Sequence, residues 1–227
     1  EGRSLKMVLG GVAYVRSNSI LLGAIALDLF IVLMGSVVTL LPVYAADILD
    51  VGPESLGVLR GMPALGAVFV GLGLAALPPM RRSGFCLFAA LVVFAVSILV
   101  FALSTTYWIS LAALFVYGAA DMVSVNIRMT IIQLATPNHL RGRVSAVNSI
   151  FISSSNEMGD IRAGTVASIF GPVTTVVIGG LAAFSVAIGG WYLFPKLRQL
   201  DQLADLCPNL KDGQIKPNNM ENKNDQQ

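Results

Sequence analysis

Residues Tyr117–Asn148 read YGAADMVSVNIRMTIIQLATPNHLRGRVSAVN. Asp121 and Arg128 interrupt a stretch that is otherwise apolar and long enough to span a bilayer. A charge at the centre of a membrane helix costs roughly 2.5–3.5 kcal/mol on insertion scales, so such residues face a bundle interior or a watery cavity and have a task there. The stretch closes on a polar turn carrying Arg141 and Arg143, the pattern of a transport pathway that ends at a cytoplasmic loop.

The rest of the chain has the same character. With 55% hydrophobic and 12% charged residues and a mean hydropathy of +0.75, it lies outside the range of soluble globular domains and reads as a polytopic membrane protein. The net charge of +2 is small and the basic residues sit in short clusters beside apolar runs, which leaves no electrostatic footprint for a nucleic-acid partner. Cys86 in an apolar run and Cys207 in a polar tail fit neither a disulfide framework nor a metal site. His139 reads as a solvated turn residue, and no cofactor is called for. The chain opens on Glu1 with neither an initiator Met nor a signal-peptide pattern, so it reads as a piece of something longer.

A membrane helix needs about 20 mostly apolar residues. Six stretches qualify: Ser19 to Tyr44, Leu56 to Leu77, Phe85 to Leu103, Trp108 to Leu134, Val144 to Ile169 and Val173 to Phe194. Asp50-Val51-Gly52-Pro53, Pro78-Pro79, Ser104-Thr105-Thr106, Thr136-Pro137-Asn138 and Gly171-Pro172 separate them as turns. Connections this short force successive helices to run antiparallel, giving an all-α integral membrane fold, one six-helix bundle with no second domain. The domain reading is a cytoplasmic linker or surface helix over 1–18, the bundle over 19–194, and a cytoplasmic tail over 195–227, disordered from about 211. Leu5, Val8, Leu9, Val12 and Val15 before the bundle, and Leu197, Leu200, Leu203 and Leu206 after it, recur at the spacing of short surface helices.

Orientation follows from the short loops. Arg3, Lys6 and Arg16, then Arg81 and Arg82, then Arg141 and Arg143, then Lys196 and Arg198 fall on alternate connections, and the others carry only Asp47, Asp50 and Glu54 or no charge. Both termini are therefore expected in the cytoplasm.

Polarity ranks the helices. The third contains only Ser97 and the sixth only Thr174, Thr175 and Ser185, which predicts that these two face lipid. The first carries Asp28, the second Arg60, the fourth Asp121, Asn126, Arg128 and Gln133, and the fifth Glu157, Asp160 and Arg162, so these four are expected to build the interior. On the fifth, Ser149, Ser153, Asn156, Glu157, Asp160 and Gly164 share one face. Interhelical hydrogen bonding explains the neutral members of that stripe as well as a transport role does. Glu157 and Asp160 are neighbours that repel when both are ionised, so one of them could carry a proton; the alternative is neutralisation by Arg162 or Arg60. Asp121 and Arg128 stand about 10 Å apart along one face and cannot pair, leaving Asp28 as a candidate partner for Arg128. Gly57 and Gly61 have the spacing for close helix approach.

These residues resemble a family. LLPVYAADILDVGPESLGVLRGMPALGA, GAADMVSVNIRMTIIQLATP and LRGRVSAVNSIFISSSNEMGDIRAG are similar to the C-terminal half of major facilitator superfamily transporters, in the branch of enterobactin exporters and transmembrane secretion effectors. The resemblance runs from about Ser4 to Leu203. It implies a twelve-helix transporter whose two halves rock around a central site, the first and fourth helices of this half lining the cavity, the second and fifth flanking it and the third and sixth supporting it. The family's loop motif between the second and third helices survives here only as Arg81-Arg82-Ser83-Gly84, without its Asp.

The expected function is proton-coupled export of a small amphipathic compound, such as a drug or siderophore, across the bacterial inner membrane. The partners would be the substrate, protons, the lipid bilayer, and a missing N-terminal half or a second copy. Import of a small solute and a non-transporting membrane scaffold are the alternatives. An enzyme is not expected, since the sequence offers no intramembrane nucleophile with a base.

Overall fold

The computed structural model describes residues 11–76, 82–138 and 140–198. Residues 11–17 form a short helix, α1. Asn18 follows it, and the Asn18 side-chain oxygen accepts from the N–H groups of Ile20 at 3.1 Å and Leu21 at 3.4 Å, satisfying two orphan donors at the start of α2, Ser19–Gly35.

The first span is not the single helix expected from Ser19 to Tyr44. It breaks after Gly35 and runs on to Ile48. Gly35 and Ser36 form a pair of the kind that kinks helices, and Val37, Val38 and Thr39 behind them are β-branched and poor helix formers. Ser36 is extended, with φ −64° and ψ 111°. Pro42 then brings no N–H and crowds the carbonyl four residues back. The chain accordingly passes through a 3₁₀ turn at Val38–Leu40, a short helix α3 at Leu41–Val43, and a wide turn at Tyr44–Ile48 in which the Leu49 N–H reaches the Tyr44 carbonyl at 2.9 Å.

Five further long helices follow, α4 (Pro53–Ala76), α5 (Ser83–Leu103), α6 (Tyr107–Ala135), α7 (Arg141–Phe170) and α8 (Pro172–Leu193), with a last short turn α9 (Pro195–Arg198). Gly171, at φ 82°, reverses the chain between α7 and α8 in a conformation that L side chains resist, and Pro172 takes the first helical position. Every regular element among the described residues is a helix, and five spans are long and apolar enough to cross a membrane. The exception is α7. It has the length, 30 residues, but Glu157, Asp160 and Arg162 crowd its distal half and remove it from the apolar set.

Packing reverses part of the polarity ranking. The third helix, α5, was expected to face lipid; instead Leu87, Phe88, Leu91, Phe94, Ile98 and Phe101 on one side of it are buried at the centre of the bundle, against α6 and α8. Its other side looks outward, with Phe85, Val93, Val96, Val100 and Leu103 exposed. An apolar helix has no polar face to keep open, so neighbours can close on it from two sides. The polar α7 and the second helix α4 are by contrast the most open, with Leu65, Val68, Phe69 and Leu72 exposed along α4.

The close helix approach occurs elsewhere than the glycine spacing predicted. Nothing stands within 4 Å of a β-carbon placed at Gly57 or Gly61. The contact is made by Gly66 of α4 and Gly118 of α6, where added β-carbons would run into the Phe115 and Pro63 carbonyls. Backbone cannot yield as a side-chain tip can.

One end of the bundle collects the basic residues. Tyr14 of α1 donates to the Ala135 carbonyl at 2.8 Å, Gly11 lies against Val147 and Arg143, and Gly84 meets the backbone of Leu197 and Arg198. Arg16, Arg82, Arg141, Arg143 and Arg198 thus share that end. Val15 and Leu197 are buried, as apolar positions of the two expected surface helices. Arg81, His139, Leu200, Leu203, Leu206, the first ten residues and the tail beyond 198 lie outside the described residues.

Gly118→Val should lower the thermal unfolding midpoint of the purified protein in detergent by an amount equivalent to about 1–3 kcal/mol or more, the range for overpacking. Gly57→Ala should leave the midpoint unchanged.

Candidate functional site

Two arginines organise the polar interior, and each has a different partner. Arg128, on the buried face of α6, forms an ion pair with Asp28 of α2; the side chains are 3% and 8% exposed, the only ion pair among the described residues. Asp28 is thus the partner that the sequence pointed to. Arg128 Nε has no hydrogen-bond partner among the described groups, so the pair carries nearly all the compensation for burying this charge.

Arg162 does not neutralise Glu157 or Asp160. Its guanidinium turns from α7 to the broken end of α2, where Nε donates to the Leu33 carbonyl at 3.0 Å and a terminal nitrogen to the Met34 carbonyl at 2.6 Å. These are the carbonyls that the break deprives of helical donors. Asp160, two residues earlier, accepts a hydrogen bond from the Ser36 hydroxyl inside the break.

Asp121 is half-buried on α6. One turn before it, Tyr117 stacks on Phe94 at 4.4 Å between ring centres and lies within electrostatic reach of both Asp121 and Asp160. Asp121 of α6 and Asp160 of α7 therefore both lie near Tyr117, and Asp160 links this region to the break in the first span.

The remaining predicted residues stay apart from this cluster. Arg60 is exposed on α4 and pairs with no carboxylate among the described residues, which removes it as a counter-ion for Glu157 or Asp160. Glu157 is exposed, together with Ser149, Ser153, Asn156 and Gly164, so these members of the α7 stripe face outward, while Asp160 on the same face is half-buried and holds Ser36. The Gln133 side chain is exposed; its carbonyl accepts from Arg141 Nε at 2.9 Å, and the Thr136 carbonyl from the same nitrogen at 3.3 Å, so Arg141 secures the end of α6. Arg143 is exposed, and Arg82 sits exposed in a left-handed conformation at the head of α5. Two apolar grooves, about 540 Å³ between α5 and α6 and about 400 Å³ between α2 and α8, contain none of these residues and suit lipid chains or other apolar groups.

Sequence reasoning missed Ser36, Tyr117, Gly159 and Gly179 as parts of this region. The Gly35-Ser36 pair was the readable signal for the break. The two glycines gave none, because what they make room for is backbone from another helix.

The sequence matches the transmembrane secretion effector family over residues 5–221. The chain belongs to that family. Transmembrane secretion effectors are transporters of the major facilitator superfamily, and with its apolar helices this one is a multi-pass membrane transport protein. No curated protein and no solved structure gives a significant match to this secretion effector.

Breaking the buried pair of this secretion effector from one side should cost about 3–5 kcal/mol, because the other charge is left alone. Asp28→Leu and Arg128→Met should each lower the unfolding midpoint strongly, and the double variant should recover most of the loss. A double variant less stable than either single one would contradict the pairing.

Proposed function

We propose that the chain acts as one six-helix half of a secondary transporter that exports a small amphipathic molecule, such as a drug or siderophore, by proton-coupled alternating access. The observation that carries this reading is the placement of polarity. The outward stripe on α7 and the bare second helix α4 form faces of the bundle that are unlike a lipid-facing surface in the first case and unpacked in the second. A polar face at membrane depth calls for water or protein against it. A second six-helix unit, either an N-terminal half of the enterobactin exporter type or another copy of this chain, would enclose a watery cavity there.

In this scheme the cavity is bounded by α2, α4, α6 and α7, and Asp121, Asp160 and Tyr117 lie where its wall meets the break. Glu157 faces the cavity itself. A carboxylate in such a wall can take a proton from one side and release it to the other as the halves rock, which drives export against a gradient. Asp121 is the leading coupling group. It has no ion-pair partner among the described residues, whereas Asp28 is held by Arg128. The arginine-rich end of the bundle is assigned to the cytoplasm of a bacterial cell, with both chain termini on that side and the Asp47 to Glu54 segment outside.

Everted membrane vesicles containing the full transporter test this with a fluorescent pH probe and a panel of amphipathic dyes. Adding a transported dye should release protons from wild-type vesicles, and Asp121→Asn should abolish that flux while leaving dye binding within about two-fold, since a neutral side chain stands in for the protonated state. Glu157→Gln and Asp160→Asn test the reserve candidates in the same assay. Wild-type flux in all three would assign the carboxylates to structure, and dye movement without proton movement would remove the coupling.

A further inference from the structure

We propose that α7 sets the angle of the broken first span, with Arg162 and Asp160 as positioning residues that grip it on either side of the break. This goes beyond the transport reading and does not depend on it.

The break leaves the last carbonyls of α2 without helical N–H partners, and hydrocarbon has none to offer, so donors must come from elsewhere in the protein or from a water-lined cavity. Arg162 answers with the two hydrogen bonds to Leu33 and Met34, made by two nitrogens of one planar fork. A cation is also favoured at the C-terminal end of a helix. Lysine, a single point charge on a flexible stem, cannot hold two successive carbonyls in the same plane. On the far side of the break, Ser36 donates to Asp160. One helix therefore holds the last turn of α2 and the first residue beyond it.

The socket around this end is built from absent side chains. A β-carbon on Gly159 of α7 would stand 3.2 Å from the Leu33 carbonyl and 3.3 Å from that of Val32, and one on Gly179 of α8 would meet the Met34 carbonyl and stand 3.4 Å from the Arg162 guanidinium. Both positions press directly on the groups that make the clamp.

Just beyond the break the 3₁₀ turn Val38–Leu40 still lies on α7, and farther along, at Tyr44, the span meets a different neighbour. Tyr44 is buried, donates to the Ala102 carbonyl at 3.3 Å and packs its ring 4.6 Å from Phe101 of α5. The inner piece lies on α7 and α8. A shift of α7 relative to α5 is thus taken up as bending between Ser36 and Tyr44. Asp160 belongs to the face of α7 that also carries the exposed Ser149, Ser153, Asn156 and Glu157, so force applied to that face reaches the break through one rigid helix.

The test measures the angle directly. In the cysteine-free full chain in lipid nanodiscs, spin labels at Leu22 on α2 and Val43 beyond the break are read by dipolar electron resonance. The unsubstituted chain should give one narrow distance distribution. Arg162→Met should broaden it at least two-fold or shift its mean, Arg162→Lys should fall between the two, and Ser36→Ala should give a smaller broadening. Arg141→Met, at the other end of the same helix, should change nothing. A wild-type distribution in Arg162→Met overturns the proposal, and so does equal broadening in Arg141→Met, which would mean general loosening. Should Arg162→Met not fold, Ser36→Ala and Gly179→Ala carry the test, and unchanged distributions in both overturn it.

Discussion

Hydrocarbon supplies no partner for a free carbonyl or a lone charge, and the interior of this bundle is arranged around two arginines that meet that constraint. Arg128 is itself the buried charge, and Asp28 on the first span is what makes its burial tolerable. Arg162 works the other way, as the donor that makes a break in the first span tolerable. The first span is therefore held twice from across the bundle, once by charge from α6 and once by hydrogen bonds from α7. Remove either arginine and the span loses a constraint that packing alone does not replace, because α2 offers the remaining helices mostly small or aliphatic side chains.

The distribution of polar groups divides the bundle by function. Its centre, built on α5, is apolar and closely packed, with Tyr44 on Phe101 and Tyr117 on Phe94 as aromatic joints. The polar helix α7 stands at its margin, gripping the first span through Arg162 and Asp160 and presenting Ser149, Ser153, Asn156 and Glu157 outward. A helix that carries so many polar residues cannot also be apolar enough to count among the five evident spans. The same fact explains why its residues, rather than those of the more apolar helices, are the ones that couple an outer face to the interior.

Much of this was legible in the sequence, for reasons that can be named. Length and hydropathy located the helices because bilayer thickness demands them, and turns such as Gly171-Pro172 act through local backbone chemistry. The Asp28–Arg128 pair was legible because two opposite charges at similar depth have few other options. Other features depended on contacts no local pattern carries. Gly57 and Gly61 had the expected spacing, yet Gly66 and Gly118 make the close approach, since a glycine's role is decided by what lies opposite. Arg162 read as a counter-ion to nearby carboxylates because a broken helix end was not in view, and carbonyl oxygens have no sequence signature. Ranking helices by polarity failed for α5 because facing lipid and facing other helices demand the same apolar side chains.

The outward stripe of α7 should meet water within the membrane while the outer side of α5 meets lipid. Single cysteines at Ser149, Ser153, Asn156, Val93, Val96 and Val100, in the cysteine-free full protein in membranes, can be challenged with a charged thiol reagent. Fast labelling is expected at the three α7 positions and none at the three α5 positions. Inert α7 positions, or equal labelling on both helices, would contradict it.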